Sequence, residues 1–144
     1  MSTDPAAASP GWLLTEARRL LDRADETTAG RWSRAAALLA RQALESAVAT
    51  MLAERAPGAE RCSARAQLLC LRQLIDPNQA FAIEHAWVGL SRACHHHAYE
   101  LPPTAVELAG WLDIVVALAS AQEDRPELRH GDPLGDHASR WRGG

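Results

Sequence analysis

Between Pro10 and Gln122, apolar residues return every three or four positions, and the runs are punctuated by residues that start or stop helices. A period near 3.6 suits an amphipathic helix and is incompatible with the two-residue alternation of a half-buried strand. The composition agrees. Ala and Leu dominate the apolar 47%, while Val, Ile, Phe and Tyr, which strands favour, are scarce. The chain is therefore expected to be all-α.

The punctuation divides it into five helices. Ser9-Pro10 reads as N-cap and first helical residue of a helix from about Pro10 to Glu26, with Leu13, Leu14, Ala17, Leu20, Leu21 and Ala24 inward. Gly30 breaks the chain. A second helix is predicted from Trp32 to Arg55, inward along Ala36, Leu39, Ala43, Leu44, Val48, Met51 and Leu52, and ending at Pro57-Gly58. Ser63 caps a third helix, whose apolar positions are read as Ala66, Leu69, Cys70 and Leu74. Asp76, Pro77 and Gln79 open a fourth, running to about Glu100 before Leu101-Pro102-Pro103. Thr104 and Glu107 form a capping box for a fifth, to about Gln122. Short connections make neighbouring helices antiparallel. The expected organisation is a disordered N-terminus at 1–8, a helical domain at 9–122 and a flexible tail at 123–144.

Other features bound the function. The net charge is −3, which disfavours general binding to duplex DNA. All fifteen basic residues are Arg, a usage typical of a high-GC genome such as an actinomycete's. Cys62, Cys70 and Cys94 are odd in number and read as buried reduced thiols, consistent with a cytoplasmic protein. No apolar run is read as spanning a membrane, and no secretory leader is seen. No cofactor motif is present. Successive histidines point in different directions, so His95, His96 and His97 do not form a metal site. His130, Asp132, Asp136 and His137 fall in the tail and are read as solvated. Trp32, Trp87 and Trp111 occupy core positions, and Trp12 sits where it can staple a helix start.

The most informative stretch is Ser91-Arg92-Ala93-Cys94-His95-His96-His97-Ala98-Tyr99-Glu100. Turning roughly 100° per residue, Ile83, Trp87, Leu90, Cys94, Ala98 and Leu101 fall on the core side. His85, Arg92, His96 and Tyr99 share the opposite stripe, each within about 40° of Arg92. Beside them run Ala82, Ala86, Gly89 and Ala93, small enough for close approach of a second chain or of a neighbouring helix in the same bundle. Both readings of that stripe stand at this level. A lone surface Arg92 would pair with an acid such as Glu84. Arg31, Arg34 and Arg41 share a face of the second helix, either as a solvated face balanced by Glu45 or as a patch that guides RNA.

Arg92 and His97 form R-x4-H with Tyr99 two residues on, and this resembles the HEPN superfamily, the trailing Tyr resembling its HepT-like toxins. The resemblance implies a helical bundle acting as a homodimer whose paired Arg and His residues line one cleft. It implies metal-independent RNA cleavage in a toxin, defence or stress-response role. Arg92 would hold the scissile phosphate and His97, or His96 by angle, would move the proton. Tyr99 and His85 are RNA-binding or modification candidates, with Tyr99 the target of a nucleotidyltransferase antitoxin. Active members place Asn, Asp or His directly after the Arg, where this chain has Ala93. That departure favours an alternative, a non-catalytic module that recruits a partner protein or nucleotide through the same helix. On an ideal helix Arg92 and His97 also stand about 140° apart, so their meeting requires a dimer cleft or a distorted helix end.

Overall fold

The computed structural model describes residues 9–23, 29–95 and 100–124. They form five α-helices: α1 (Pro10–Asp22), α2 (Ala29–Arg55), α3 (Ala64–Leu74), α4 (Pro77–Cys94) and α5 (Ala105–Glu123). A 3-10 turn at Ala59–Arg61 joins α2 to α3. No strand occurs among the described residues. The all-α expectation therefore holds. The expected N-terminus at 1–8 lies outside the described residues; of the tail expected at 123–144, Glu123 instead closes α5, while 125–144 lie outside the described residues.

The helix starts are built as the sequence indicates. Ser9 Oγ accepts from the Trp12 N–H, Ser63 Oγ from the Ala66 N–H, and the Asp76 carboxylate from the N–H groups of Asn78 and Gln79. Thr104 and Glu107 complete a reciprocal capping box. Each satisfies donors that the first turn of a helix leaves free. After α2, Gly58 adopts φ 99°, a left-handed conformation that a side chain would strain.

Helices α1, α2, α4 and α5 make the bundle, and α3 packs on α2 and α4. Arg18 of α1 pairs with Asp113 of α5 at 3.0 Å, and Gly11 lies beside Glu123, so these two helices are antiparallel. Arg34 and Glu45 of α2 meet Cys94 and Trp87 of α4, respectively, so that pair is antiparallel too. Accordingly the end of α1, the start of α2, the end of α4 and the start of α5 gather at one end of the bundle.

The core is made of Leu44, Leu52, Leu71, Ile83, Leu90, Leu108, Leu112, Val115 and Leu118, all nearly or fully buried. Each buried Leu or Ile contributes about 2 kcal/mol. Ala36, Ala37, Ala40, Ala43 and Ala47 line the inward side of α2, and their small size lets three helices approach it.

Several expectations need correcting. α1 ends at Asp22 rather than Glu26, and Gly30 does not break the chain but lies in the first turn of α2. In α3 the buried positions are Gln67, Leu68 and Leu71, while Leu69 is exposed. Gln67 is admitted because its amide donates to the carbonyls of Glu60 and Cys62. α4 stops at Cys94, not Glu100, so Leu101 loses its core register and stands exposed. α5 is, by length and composition, apolar enough to cross a bilayer, contrary to the sequence reading. Here it packs against α1, α2 and α4, with Leu108, Leu112, Val115 and Leu118 inside.

Candidate functional site

The end of α4 is held from outside the helix. The last carbonyls of a helix have no partner in their own ladder and carry the negative end of its dipole. The guanidinium of Arg34, in the second turn of α2, donates from Nε to the Cys94 carbonyl at 3.1 Å. The His95 N–H is shared between the Ser91 and Arg92 carbonyls at 3.2 Å each, and His95 leaves helical geometry at φ −96°, ψ 82°.

Arg92 stands exposed on the last turn, and among the described residues it has no ion-pair or hydrogen-bond partner. Glu84, the acid expected to take it, is held instead by Nε and Nη2 of Arg72 from α3. His85 is also exposed, and its ring stacks on Phe81 with centroids 6.3 Å apart and planes 15° apart. Phe81, His85, Val88 and Arg92 thus form one outward stripe along α4, with Phe81 72% exposed. His96, His97, Ala98 and Tyr99 lie outside the described residues.

The small-residue stripe is not a surface for a second chain. Ala86 is fully buried, and a Cβ on Gly89 would run into the indole of Trp111 from α5. Ala82 is half-buried, and Ala93 packs against the core cluster. The dimer candidates Ala86 and Gly89 are therefore corrected: small size here serves the contact of α4 with α5. Among the described residues, Trp32 Nε1 in the first turn of α2 and Ser91 Oγ in the last turn of α4 are buried without a hydrogen-bond partner.

Behind Arg92 lies a connected polar group that the sequence did not reveal. Glu45 of α2 accepts from Arg41 Nε at 2.9 Å and from the Trp87 indole N–H at 3.0 Å. The Arg41 guanidinium also lies over the Trp87 ring, 5.7 Å from its centroid. The Glu45 carboxylate raises the Arg41 pKa, keeping the cation charged. Burial pushes the Cys94 thiol up, against the pull of Arg41 and Arg34. This favours the thiol over the thiolate at Cys94, while Cys62 is exposed rather than buried. The i, i+4 spacing of Arg41 and Glu45 was the available signal; Trp87 as their partner was not visible without the packing of α2 on α4.

Among the described residues no three His, Cys, Asp or Glu side chains gather to hold a metal ion. A hollow of about 500 Å³ lies between α1 and α5, with Leu14, Val116 and Ala119 among its lining residues. Its rim charges Arg18 and Arg19 are paired with Asp113 and Glu16. What the exposed end of α4 offers is a guanidinium unpaired among the described residues, an imidazole at His95 and a tethered second guanidinium from α2. Compared with family models, curated proteins and solved structures, the chain gives no match.

Proposed function

We propose that this chain is a HEPN-type, metal-independent endoribonuclease that works as a cytoplasmic homodimer in a toxin, defence or stress-response role. The observation that carries the reading is Arg92, exposed and without a partner among the described residues, on the last turn of a helix that ends at Cys94. A continuous helix would hold Arg92 and His97 about 140° apart. α4 ends at Cys94, three residues before His97 in the sequence.

The chemistry needs few groups. Arg92 offers a planar fork of donors to the phosphate oxygens and offsets the charge that develops there. The imidazole of His97, with His96 as the second candidate, takes the proton of the ribose 2′-hydroxyl as its oxygen bonds to phosphorus. The 5′ oxygen leaves and receives a proton from the imidazolium of the partner subunit's copy of the pair. Tyr99 is the position a nucleotidyltransferase antitoxin would modify.

A second reading draws on Ala93. Because this side chain packs inward, the position after Arg92 supplies no polar group to the site. That favours a silent module which binds a partner through the outer stripe of α4. The test is incubation of the purified protein with RNA in EDTA. Cleavage that disappears in Arg92→Ala and His97→Ala is expected. No cleavage at any protein concentration, or cleavage surviving both substitutions, rules out the enzyme and leaves the module.

A further inference from the structure

Residues 29–44 contain Arg31, Arg34 and Arg41 and no carboxylate, in a chain whose net charge is −3. Helical spacing puts the three on one face of α2, within about 80°. The structure then separates them. Arg41 is neutralised by Glu45 and covered by Trp87. Arg31 is exposed and has no partner among the described residues. Arg34 is exposed and uses only Nε, on the Cys94 carbonyl. Its two terminal amino groups make no hydrogen bond among the described residues.

An arginine tethered through Nε has already given up part of its side-chain freedom, so a ligand that binds its outer edge has less entropy to remove. That edge is the geometry that takes a phosphate oxygen pair. The tether also fixes the place: Arg34 lies against the end of α4, the helix whose last turn carries Arg92. Arg31 extends the charge one turn further along α2, and Leu38, 47% exposed on the same face, offers an apolar surface to an unstacked base. We infer that Arg31 and Arg34 of α2 form a docking track for the phosphodiester backbone of single-stranded RNA, leading it to Arg92. The inference rests on the RNA reading above and adds a residue set from a second helix. A few phosphate contacts suit one strand better than a duplex, whose binders carry an extended positive face.

Binding of a labelled single-stranded RNA, followed by fluorescence anisotropy at several salt concentrations, tests the track. The double variant Arg31→Glu, Arg34→Gln is expected to bind at least about tenfold more weakly, from the loss of two charge-assisted contacts. Its salt dependence should flatten by about 0.7 in log–log slope for each arginine removed. Arg34→Lys, which keeps the charge, should recover part of the loss. Arg31→Glu alone removes no contact within the fold and should weaken binding by itself. Unchanged affinity and slope in that single variant overturn the track, whatever the double variant does. If the wild-type protein still cleaves RNA in that case, the reading of Arg92 stands; if it neither binds nor cleaves RNA, both fall.

Discussion

The two ends of α4 are made in different ways. At its start, Asp76 caps the N–H groups of residues two and three positions on, and Pro77 presets the first turn. Everything needed lies within four residues. At its end no neighbouring side chain does the work: the Cys94 carbonyl is taken by Arg34, sixty positions away in sequence. A locally encoded end forms wherever the sequence occurs. An end set by a tertiary contact exists only once α2 and α4 have packed, and it stops the helix where packing dictates. The free cation of Arg92 sits at the second kind of end.

Four measurements sharpen or break that contrast. Leu90, fully buried one turn before the end of α4, anchors the packing on which the tertiary cap depends. Leu90→Ala should cost about 3 kcal/mol in urea unfolding. It should also speed amide exchange at His95 far more than at Gln79; equal changes at both would deny that the ends differ. Asp76→Ala should cost about 1 kcal/mol and fray the first turn alone. Arg34→Ala removes an exposed contact and should cost less, about 0.5 kcal/mol, with faster exchange confined to the end of α4. No change in exchange at His95 would remove Arg34 as its cap.

The smallest effect concerns α5, whose start is another local cap. The Thr104 backbone N–H and hydroxyl hold the Glu107 carboxyl below its ordinary value of 4.5. Since the folded pKa is the lower one, this contribution is complete above the unfolded value and disappears as pH falls through the folded one. The stability difference between the wild-type protein and Glu107→Gln should therefore shrink as pH drops below 4.5. A difference constant down to pH 2 would mean that the charge contributes nothing.

The same distinction explains what could be read in the sequence. The caps at Ser9, Ser63, Asp76 and Thr104 were legible because their chemistry is local. Most inward positions of α2 were legible because a long helix repeats its pattern. The short α3 offers little repetition, and its inward face was misplaced onto Leu69; Leu68 and Leu71 point inward because α2 and α4 lie on that side. The extent of α4 was overread because Pro102 looked like the stop, whereas α4 ends at Cys94, where Arg34 takes the last carbonyl. The small stripe Ala82, Ala86, Gly89 and Ala93 was visible as a pattern, but the identity of its partner was not. Trp111, over Gly89, answers that question from within the chain. For the candidate site, exposure of Arg92 and His85 agrees with the outward stripe read from helical angles. The Glu45–Arg41–Trp87 group needed the fold to become visible.

The antiparallel pairing of α1 with α5, marked by Arg18 and Asp113, has a consequence during synthesis. A ribosome makes α1 and α2 long before the helix that closes the bundle over them. Until Leu108, Leu112 and Val115 emerge from the exit tunnel, the apolar sides of Leu13, Leu14 and Leu44 have no complete cover. The nascent chain must carry that greasy surface through most of translation, so a holding chaperone has its longest opportunity before α5 appears.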